Sequence, residues 1–161
     1  MPRPCVSSKA SDARARCAAP SLIVRVVLDT CLLKLATLPN DPNAAALIYG
    51  LAQAELIEAW ASPAMLDEYA DVLSNRPDFV AEIAETCRFC HPLSELNVIR
   101  HEPDNRFLEC ALAVAADFLI TVNTARGHFD RKEYQGVRVV TPGEFLKLPA
   151  VRPLLARLTG R

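Results

Sequence analysis

The chain has 161 residues, of which 51% are hydrophobic and 23% are charged, and its formal net charge is −1. This length suits one domain with a proper core, and the composition excludes a largely disordered protein. No apolar run approaches the roughly 18 to 20 residues that a membrane-spanning helix needs. The sequence therefore predicts a soluble protein, which we expect to be cytoplasmic.

The N-terminal segment is basic. Residues 1–25 hold five Lys or Arg residues and one Asp, a local net charge of +4, so the remainder sums to −5. A Ser-, Ala- and Arg-rich composition is typical of a flexible segment, and contact with nucleic acid or a partner is the alternative. The segment lacks the continuous apolar core and cleavage site of a secretory signal. We predict a basic, flexible arm over residues 1–21 and a single domain over residues 22–161.

Strands and helices alternate after the arm. LIVRVVL (22–28) predicts a strand buried on both faces, and NAAALIYGLAQAELIEA from Asn43 has helical periodicity. Ser62-Pro63 is a helix start signal for AMLDEYADVLSN, and DFVAEIAETCRFC predicts the next helix. The strand NVIR, the helix PDNRFLECALAVAA and the strands DFLITV and VRVV follow. This alternation predicts an α/β fold with a parallel sheet covered by helices.

Acidic and amide side chains are expected at one edge of this sheet. Asp29 directly follows the first strand, and the functional crevice of an open α/β sheet lies beyond the carboxyl ends of its strands. Glu68 lies about one and a half turns into the helix that starts at the Ser-Pro signal. Asp104 follows NVIR at the start of a helix, and Asn123 follows DFLIT. We therefore expect these four side chains in one cleft.

Carboxylates that share a cleft repel one another, which raises their proton affinity unless a cation neutralises them. Mg²⁺ and Mn²⁺ prefer a few carboxylates and retain several waters, whereas Cys- or His-rich sites favour zinc. Any one of these acids alone is more often a helix cap, a turn former or a solvated charge. Their convergence favours a site for Mg²⁺ or Mn²⁺.

Four segments resemble the PIN-domain family, particularly the toxin branch of toxin–antitoxin systems. They are VVLDT (26–30), SPAMLDEYADVL (62–73), EPDNRFLECALAVAADFLIT (102–121) and GVRVVTPGEFL (136–146). The resemblance implies a three-layer α/β/α sandwich with a mainly parallel central sheet. It also implies a Mg²⁺- or Mn²⁺-dependent endoribonuclease that hydrolyses RNA phosphodiester bonds, a small antitoxin protein as partner, and a homodimer as a common assembly.

The resemblance also implies roles for the candidate residues. The family's first-strand Asp, helical Glu and Asp before a helix match Asp29, Glu68 and Asp104, which would hold the metal and support catalysis. The fourth acidic position falls on Asn123. A neutral amide oxygen there would orient a metal-bound water from the outer shell, but it would not offset the charge of a second ion.

Cys31 is a second departure from the family pattern. It stands two residues beyond Asp29, where the family commonly has Asn or Ser, so we expect the site to lose a side-chain hydrogen bond there. Together with Asn123, this change favours an alternative function, a catalytically weak PIN-like RNA-binding or interaction module.

Two arginines are candidate phosphate contacts. Arg106 lies in the helix that starts at Asp104, and Arg126 follows Asn123 by three residues. Solvated surface charges are an equally good interpretation of both.

The motif CRFCH (87–91) matches the C-x-x-C-H pattern of covalent haem attachment. The sequence shows neither an export signal nor a convincing second axial ligand, so we expect chance occurrence. A zinc site built on this motif would need a fourth ligand, for which Cys110, His101 and His128 are the candidates. No spacing supports that site, and we expect most of the six cysteines to be reduced.

Overall fold

The computed structural model describes residues 23–156, so the predicted basic arm over residues 1–21 lies outside the described residues. The strands are β1 (Val24–Leu28), β2 (Ile57–Ala61), β3 (Arg88–Phe89), β4 (Phe118–Ile120), β5 (Glu133–Tyr134) and β6 (Val137–Val140). The helices are α1 (Thr30–Ala36), α2 (Pro42–Gln53), α3 (Pro63–Val72), α4 (Pro77–Thr86), α5 (Asp104–Ala113), α6 (Pro142–Lys147) and α7 (Arg152–Ala156). None of the helices in this part of the chain is long and apolar enough to cross a membrane.

The strands form one sheet in the order β3-β2-β1-β4-β6-β5. Neighbouring strands of the sheet are parallel, except that β5 is antiparallel to β6. Val26, Val27 and Leu28 of β1 and all three residues of β4 are buried, as expected when helices cover both sides of the sheet. The predicted three-layer α/β/α fold with a mainly parallel sheet is confirmed.

The strand order places a crevice beside β1. This strand pairs with β2 on one side and with β4 on the other, so the chain leaves β1 in one direction and later returns on its opposite side. Such a reversal of strand order opens a crevice beyond the carboxyl ends of the two central strands. Asp29 follows β1 and Thr121 follows β4, so both lie at this edge.

Helix α3 starts where the Ser-Pro signal predicts and is tied to the end of β1. The Ser62 hydroxyl accepts a hydrogen bond from the Met65 backbone amide, and Pro63 is the first helical residue. The hydroxyl of Tyr69, which is fully buried, donates to the carbonyl of Leu28. Glu68 is next to Tyr69 in the chain, so this bond holds its part of α3 close to Asp29.

The helix predicted from Asn43 is shorter than expected. It ends at Gln53, and Ile57–Ala61 forms β2 instead of the helix end. The alternating burial of IEAWA fits a strand, and hydrogen bonding along β1 outweighs the helical propensity of the alanine-rich stretch. In the same way, the next predicted helix ends at Thr86, and Arg88–Phe89 pairs with β2 as β3.

The strand predicted for NVIR is wrong. The backbone amides of Val98 and Ile99 donate to Oδ1 of Asn105, at 3.0 and 2.9 Å, and not to a neighbouring strand. The Asn105 amide in turn donates to the carbonyls of Ile99 and Glu102. One buried side chain of α5 therefore provides hydrogen-bond partners for the backbone of this segment, which remains an irregular loop.

Candidate active site

Asp29 is a buried carboxylate at the crevice, with 4% of its surface exposed. It is the residue before α1, but its side chain makes no capping hydrogen bond. Its Oδ2 instead accepts from the Thr121 hydroxyl at 2.6 Å and from the Cys31 thiol at 2.8 Å. Burial raises the pKa of Asp29 above its ordinary value, and the nearby charge of Asp104 raises it further.

The side chain of Cys31 makes a hydrogen bond to the site, although we expected this position to have lost it. Its thiol donates to Asp29 Oδ2, so that expectation is wrong. Burial and the neighbouring Asp29 carboxylate raise the pKa of the thiol to about 12, which keeps it protonated and able to donate at neutral pH. Sulfur thus takes over the donor role expected of Asn or Ser.

Glu68 approaches the same crevice from α3. Its Oε1 accepts a hydrogen bond of 2.8 Å from the Thr30 hydroxyl, and its side chain is half-buried. Burial is the main cause that raises the pKa of Glu68, and the charges of Asp29 and Asp104 add to it. Thr30 is the residue after Asp29, so its hydrogen bond to Glu68 brings these two acids close together, and the effect of the Asp104 charge on both is consistent with a position nearby.

Asp104 is the first residue of α5 and is held between two histidines. Its Oδ1 lies 2.9 Å from Nδ1 of His101, and its Oδ2 lies 2.8 Å from Nδ1 of His128. The centroids of the two imidazole rings are 4.5 Å apart. In the sequence these histidines are candidate ligands for a zinc site on CRFCH, and no local pattern predicts that they lie beside Asp104.

Two contacts bring the histidines to Asp104. The backbone amide of His101 donates to the carbonyl of Gly127 at 2.8 Å, which joins the loop before α5 to the loop after β4. Gly127 has φ +94°, a conformation that glycine adopts without strain, and it directs the chain into His128. The signal that could have identified these histidines in the sequence is local, since His101 precedes Asp104 by three residues and His128 follows a glycine.

The tightest cluster of metal-ligating side chains is this histidine group. Among residues 23–156, His101, Asp104 and His128 are the group whose ligand atoms all lie within 4.8 Å of one another. Asp29 and Glu68 are not members of this group, so among the described residues the three predicted acids do not form a cluster as tight as that of the histidines with Asp104. Within the same part of the chain, the CRFCH motif forms no such group, and the sulfur of Cys90 instead lies 3.1 Å from that of Cys110.

Asn123 is connected to the acidic residues through Thr121. Its backbone amide donates to the Thr121 hydroxyl at 2.9 Å, and that hydroxyl donates to Asp29. The backbone of Asn123 therefore lies beside the end of β4 at the crevice, and the role expected of its side chain stays a prediction.

The two candidate arginines differ in their surroundings. Arg106 forms ion pairs with Glu102 and with Glu109, whose Oε1 is 2.9 Å from the guanidinium. Arg126 is exposed and lines a pocket of about 260 Å³. That pocket also contains the side chains of Arg100, His128 and Arg131.

A family model described as PIN domain matches residues 25–125, more than half of the chain. The chain belongs to the PIN-domain family. PIN domains are generally nucleases that act on RNA and use divalent metal ions, and this chain has their nuclease-type α/β fold. The matched segment includes Asp29, Glu68, Asp104 and Asn123, and it ends before His128. The comparisons with curated proteins and with solved structures gave no match.

The donor set of this PIN domain fits a divalent cation. The hydrogen-bond donors to Asp29 and Glu68 described above are neutral hydroxyl and thiol groups, so these bonds do not cancel the carboxylate charges. Burial and mutual repulsion raise the pKa of both acids, which is the expected state of metal ligands without their ion. Carboxylate oxygens are ligands that divalent cations accept in proteins.

Proposed function

We propose that this PIN-domain protein is a metal-dependent endoribonuclease that hydrolyses RNA phosphodiester bonds. In this proposal Asp29, Glu68 and Asp104 hold Mg²⁺ or Mn²⁺. The observation that carries the proposal is the hydrogen bond from Thr30, the residue after Asp29, to Glu68, which brings these two acids together at the crevice beside β1. The PIN-domain match spans all three acids, and the charge of Asp104 contributes to the raised pKa of both Asp29 and Glu68.

The residues around the carboxylates have positioning roles in this proposal. A bound divalent ion supplies an activated water and stabilises negative charge on the phosphate. Thr121 and Cys31 hold the Asp29 carboxylate, and Thr30 holds that of Glu68, so that their oxygens face the crevice in fixed orientations. Asn123 would orient a water from the outer shell.

Arg126 is the better supported of the two candidate phosphate contacts. It lines the same pocket as His128, which contacts Asp104, and the three arginines of this pocket outnumber its one acid, Asp130. An RNA strand that crosses this pocket would place a phosphate next to the acidic crevice. A phosphate contact by Arg106 would compete with its ion pairs to Glu102 and Glu109.

The biological role that we propose is that of a toxin in a toxin–antitoxin pair. The support is the resemblance of the four sequence segments to that branch of the PIN family. A small antitoxin protein would then be the partner that blocks activity, and a homodimer is the assembly that the resemblance implies.

The second candidate function is a catalytically weak PIN-like module that binds RNA or a protein. Two observations favour it. Asn123 contributes no charge at the fourth family position, and both oxygens of Asp104 are engaged by histidines.

Cleavage of single-stranded RNA in the presence of Mg²⁺ or Mn²⁺ tests the proposal. We expect Asp29→Asn to lower the rate by at least about 100-fold, since loss of a ligand should exceed the 10–100-fold effect of outer-shell changes. The matched control is Asp67→Asn, an exposed carboxylate that adjoins Glu68 on α3, and it should cut at the wild-type rate. RNA binding without cleavage, equal in wild type and variant, would support the module instead.

A further inference from the structure

We infer that His101, Asp104 and His128 form a mixed nitrogen and oxygen metal site that selects a transition-metal ion over Mg²⁺. This inference rests on the proposed function, because it names the class of ion that the same crevice takes. It also assigns ligand roles to two histidines outside the acidic set.

Two of the three separations between ligand atoms match one corner of a coordination shell, and all three ligand atoms lie within 4.8 Å of one another. Metal–nitrogen and metal–oxygen bonds are about 2.0–2.2 Å long, so two ligands at a right angle lie about 3 Å apart. The two Nδ1 to carboxylate separations at Asp104 are 2.9 and 2.8 Å. An ion could therefore replace the proton in each His–Asp hydrogen bond with only small movements of the rings.

The ligand types decide which ions fit. Imidazole nitrogen suits zinc, copper, iron and nickel, whereas Mg²⁺ takes oxygen ligands and gives up water reluctantly. A site with two imidazoles and one carboxylate therefore disfavours Mg²⁺ relative to a first-row transition metal. Mn²⁺, Fe²⁺, Co²⁺ and Zn²⁺ all accept such a mixture.

The fold holds the site open and in place. The Asp104 side chain is 7% exposed, whereas those of His101 and His128 are 49% and 27% exposed, so an ion can reach the carboxylate from the histidine side. The bond from the His101 amide to the Gly127 carbonyl fixes the distance between the two loops. Such preorganisation lowers the free-energy cost of bringing three ligands together.

The competing interpretation keeps both histidines outside the metal shell. They would then donate hydrogen bonds to Asp104 and orient it as a ligand for Mg²⁺, a common arrangement around metal sites. The two interpretations differ in one observable, the presence of nitrogen in the coordination shell.

The test uses the full chain, with any affinity tag removed, and Mn²⁺ or Co²⁺ as the probe ion. Pulsed EPR of bound Mn²⁺ detects hyperfine coupling to directly coordinated nitrogen, and visible absorption of bound Co²⁺ reports on ligand type. We expect nitrogen coupling in the wild type, a weaker signal in His101→Ala and in His128→Ala, and none in the double variant. The Mn²⁺ affinity should fall at least about tenfold in each single variant, and Mg²⁺ in large excess should not displace Mn²⁺ from the wild type.

The chain contains a matched control, because its third histidine lies outside the cluster. His91 is exposed and belongs to the CRFCH motif, so His91→Ala should leave the nitrogen signal and the affinity unchanged. Loss of the signal in His91→Ala would overturn the inference and point to the cysteine motif. Mn²⁺ bound without nitrogen coupling in the wild type would overturn it as well, and this result does not depend on how any variant folds.

The outcomes separate this inference from the proposed nuclease activity. If nitrogen coordinates Mn²⁺ but RNA is not cleaved, the result supports the inferred metal site and contradicts the proposed ribonuclease activity. If cleavage depends on the metal but only oxygen atoms coordinate it, the result supports the ribonuclease activity and contradicts the ligand roles of the histidines.

Discussion

At the scale of single residues, the hydroxyl of Thr121 joins the ends of the two central strands. It donates to Asp29 Oδ2 at the end of β1 and accepts from the backbone amide of Asn123 beyond β4. Thr121 is fully buried, so water cannot replace either bond without a rearrangement. The orientation of the Asp29 carboxylate therefore depends on this side chain together with the thiol of Cys31.

Thr121→Val should weaken divalent-ion binding while it keeps the shape of the side chain. Valine supplies no donor to Asp29, and loss of an outer-shell partner typically costs 10–100-fold in metal affinity. Isothermal titration with Mn²⁺ measures the change. The control is Thr86→Val, because the Thr86 hydroxyl donates to the Glu82 carbonyl on α4 and not to the site. Equal affinity in the two variants would contradict the role given to Thr121.

Asn123→Asp should tighten binding of divalent ions. The substitution adds a negative charge at the fourth family position, and affinity for hard cations rises with the charge of the ligand set. We expect a gain of about tenfold in Mn²⁺ affinity, measured by the same titration, with Asn75→Asp on the exposed surface as the control. An unchanged affinity would show that residue 123 does not face the ion.

At the scale of elements, Asn105 replaces a strand neighbour for the loop before α5. Its amide and carbonyl groups make four hydrogen bonds to the backbone of the segment from Val98 to Glu102. That segment leads directly into Asp104 and includes His101, so the same bonds position the site. A single buried side chain thus couples the stability of a loop to the geometry of the metal ligands.

Asn105→Ala should destabilise the protein by about 3 kcal/mol or more, because it leaves several buried backbone groups without partners. Urea denaturation measures the change in the free energy of unfolding. Asn97→Ala, an exposed change in the same segment, should alter it by less than about 0.5 kcal/mol. A loss below about 1 kcal/mol in Asn105→Ala would mean that the loop keeps its structure by other contacts.

At the scale of the whole molecule, the acidic crevice makes stability depend on pH. The pKa values of Asp29 and Glu68 are raised, mainly by burial, so the folded chain binds these protons more tightly than the unfolded chain. As pH rises above the ordinary values of 3.8 and 4.5, the unfolded chain releases them first. The stability of the metal-free protein then falls, and the loss is complete once pH exceeds the folded-state pKa.

Asp29→Asn should therefore raise the melting temperature of the metal-free protein at neutral pH. The amide has no charge to bury, and its oxygen can still accept from Thr121. Thermal unfolding at several pH values with a chelator present gives the measurement, with Asp67→Asn as the control. The gain should shrink as pH falls through the raised pKa of Asp29, because the wild-type carboxyl group then becomes protonated. A melting temperature that is the same in wild type and variant at every pH would contradict a charged, buried Asp29.

The sequence by itself determined the elements that depend on neighbouring residues. The apolar run of β1, the Ser62-Pro63 start of α3 and the position of Asp104 at the start of α5 are local patterns, and they appear in the structure as predicted. The family resemblance follows from the same segments. Together they assign Asp29 to the end of β1, Glu68 to the second turn of α3 and Asp104 to the start of α5, because each of these positions is read from a local strand or helix signal.

Only the tertiary structure decided the features that depend on distant partners. The segment IEAWA forms a strand because it pairs with β1, and NVIR stays a loop because Asn105 binds its amides. His101 and His128 meet at Asp104 although 27 positions separate them, because a backbone hydrogen bond at Gly127 joins their loops. Hydrophobic periodicity and helix-capping residues do not predict such long-range contacts, since these contacts exist only when the chain is folded.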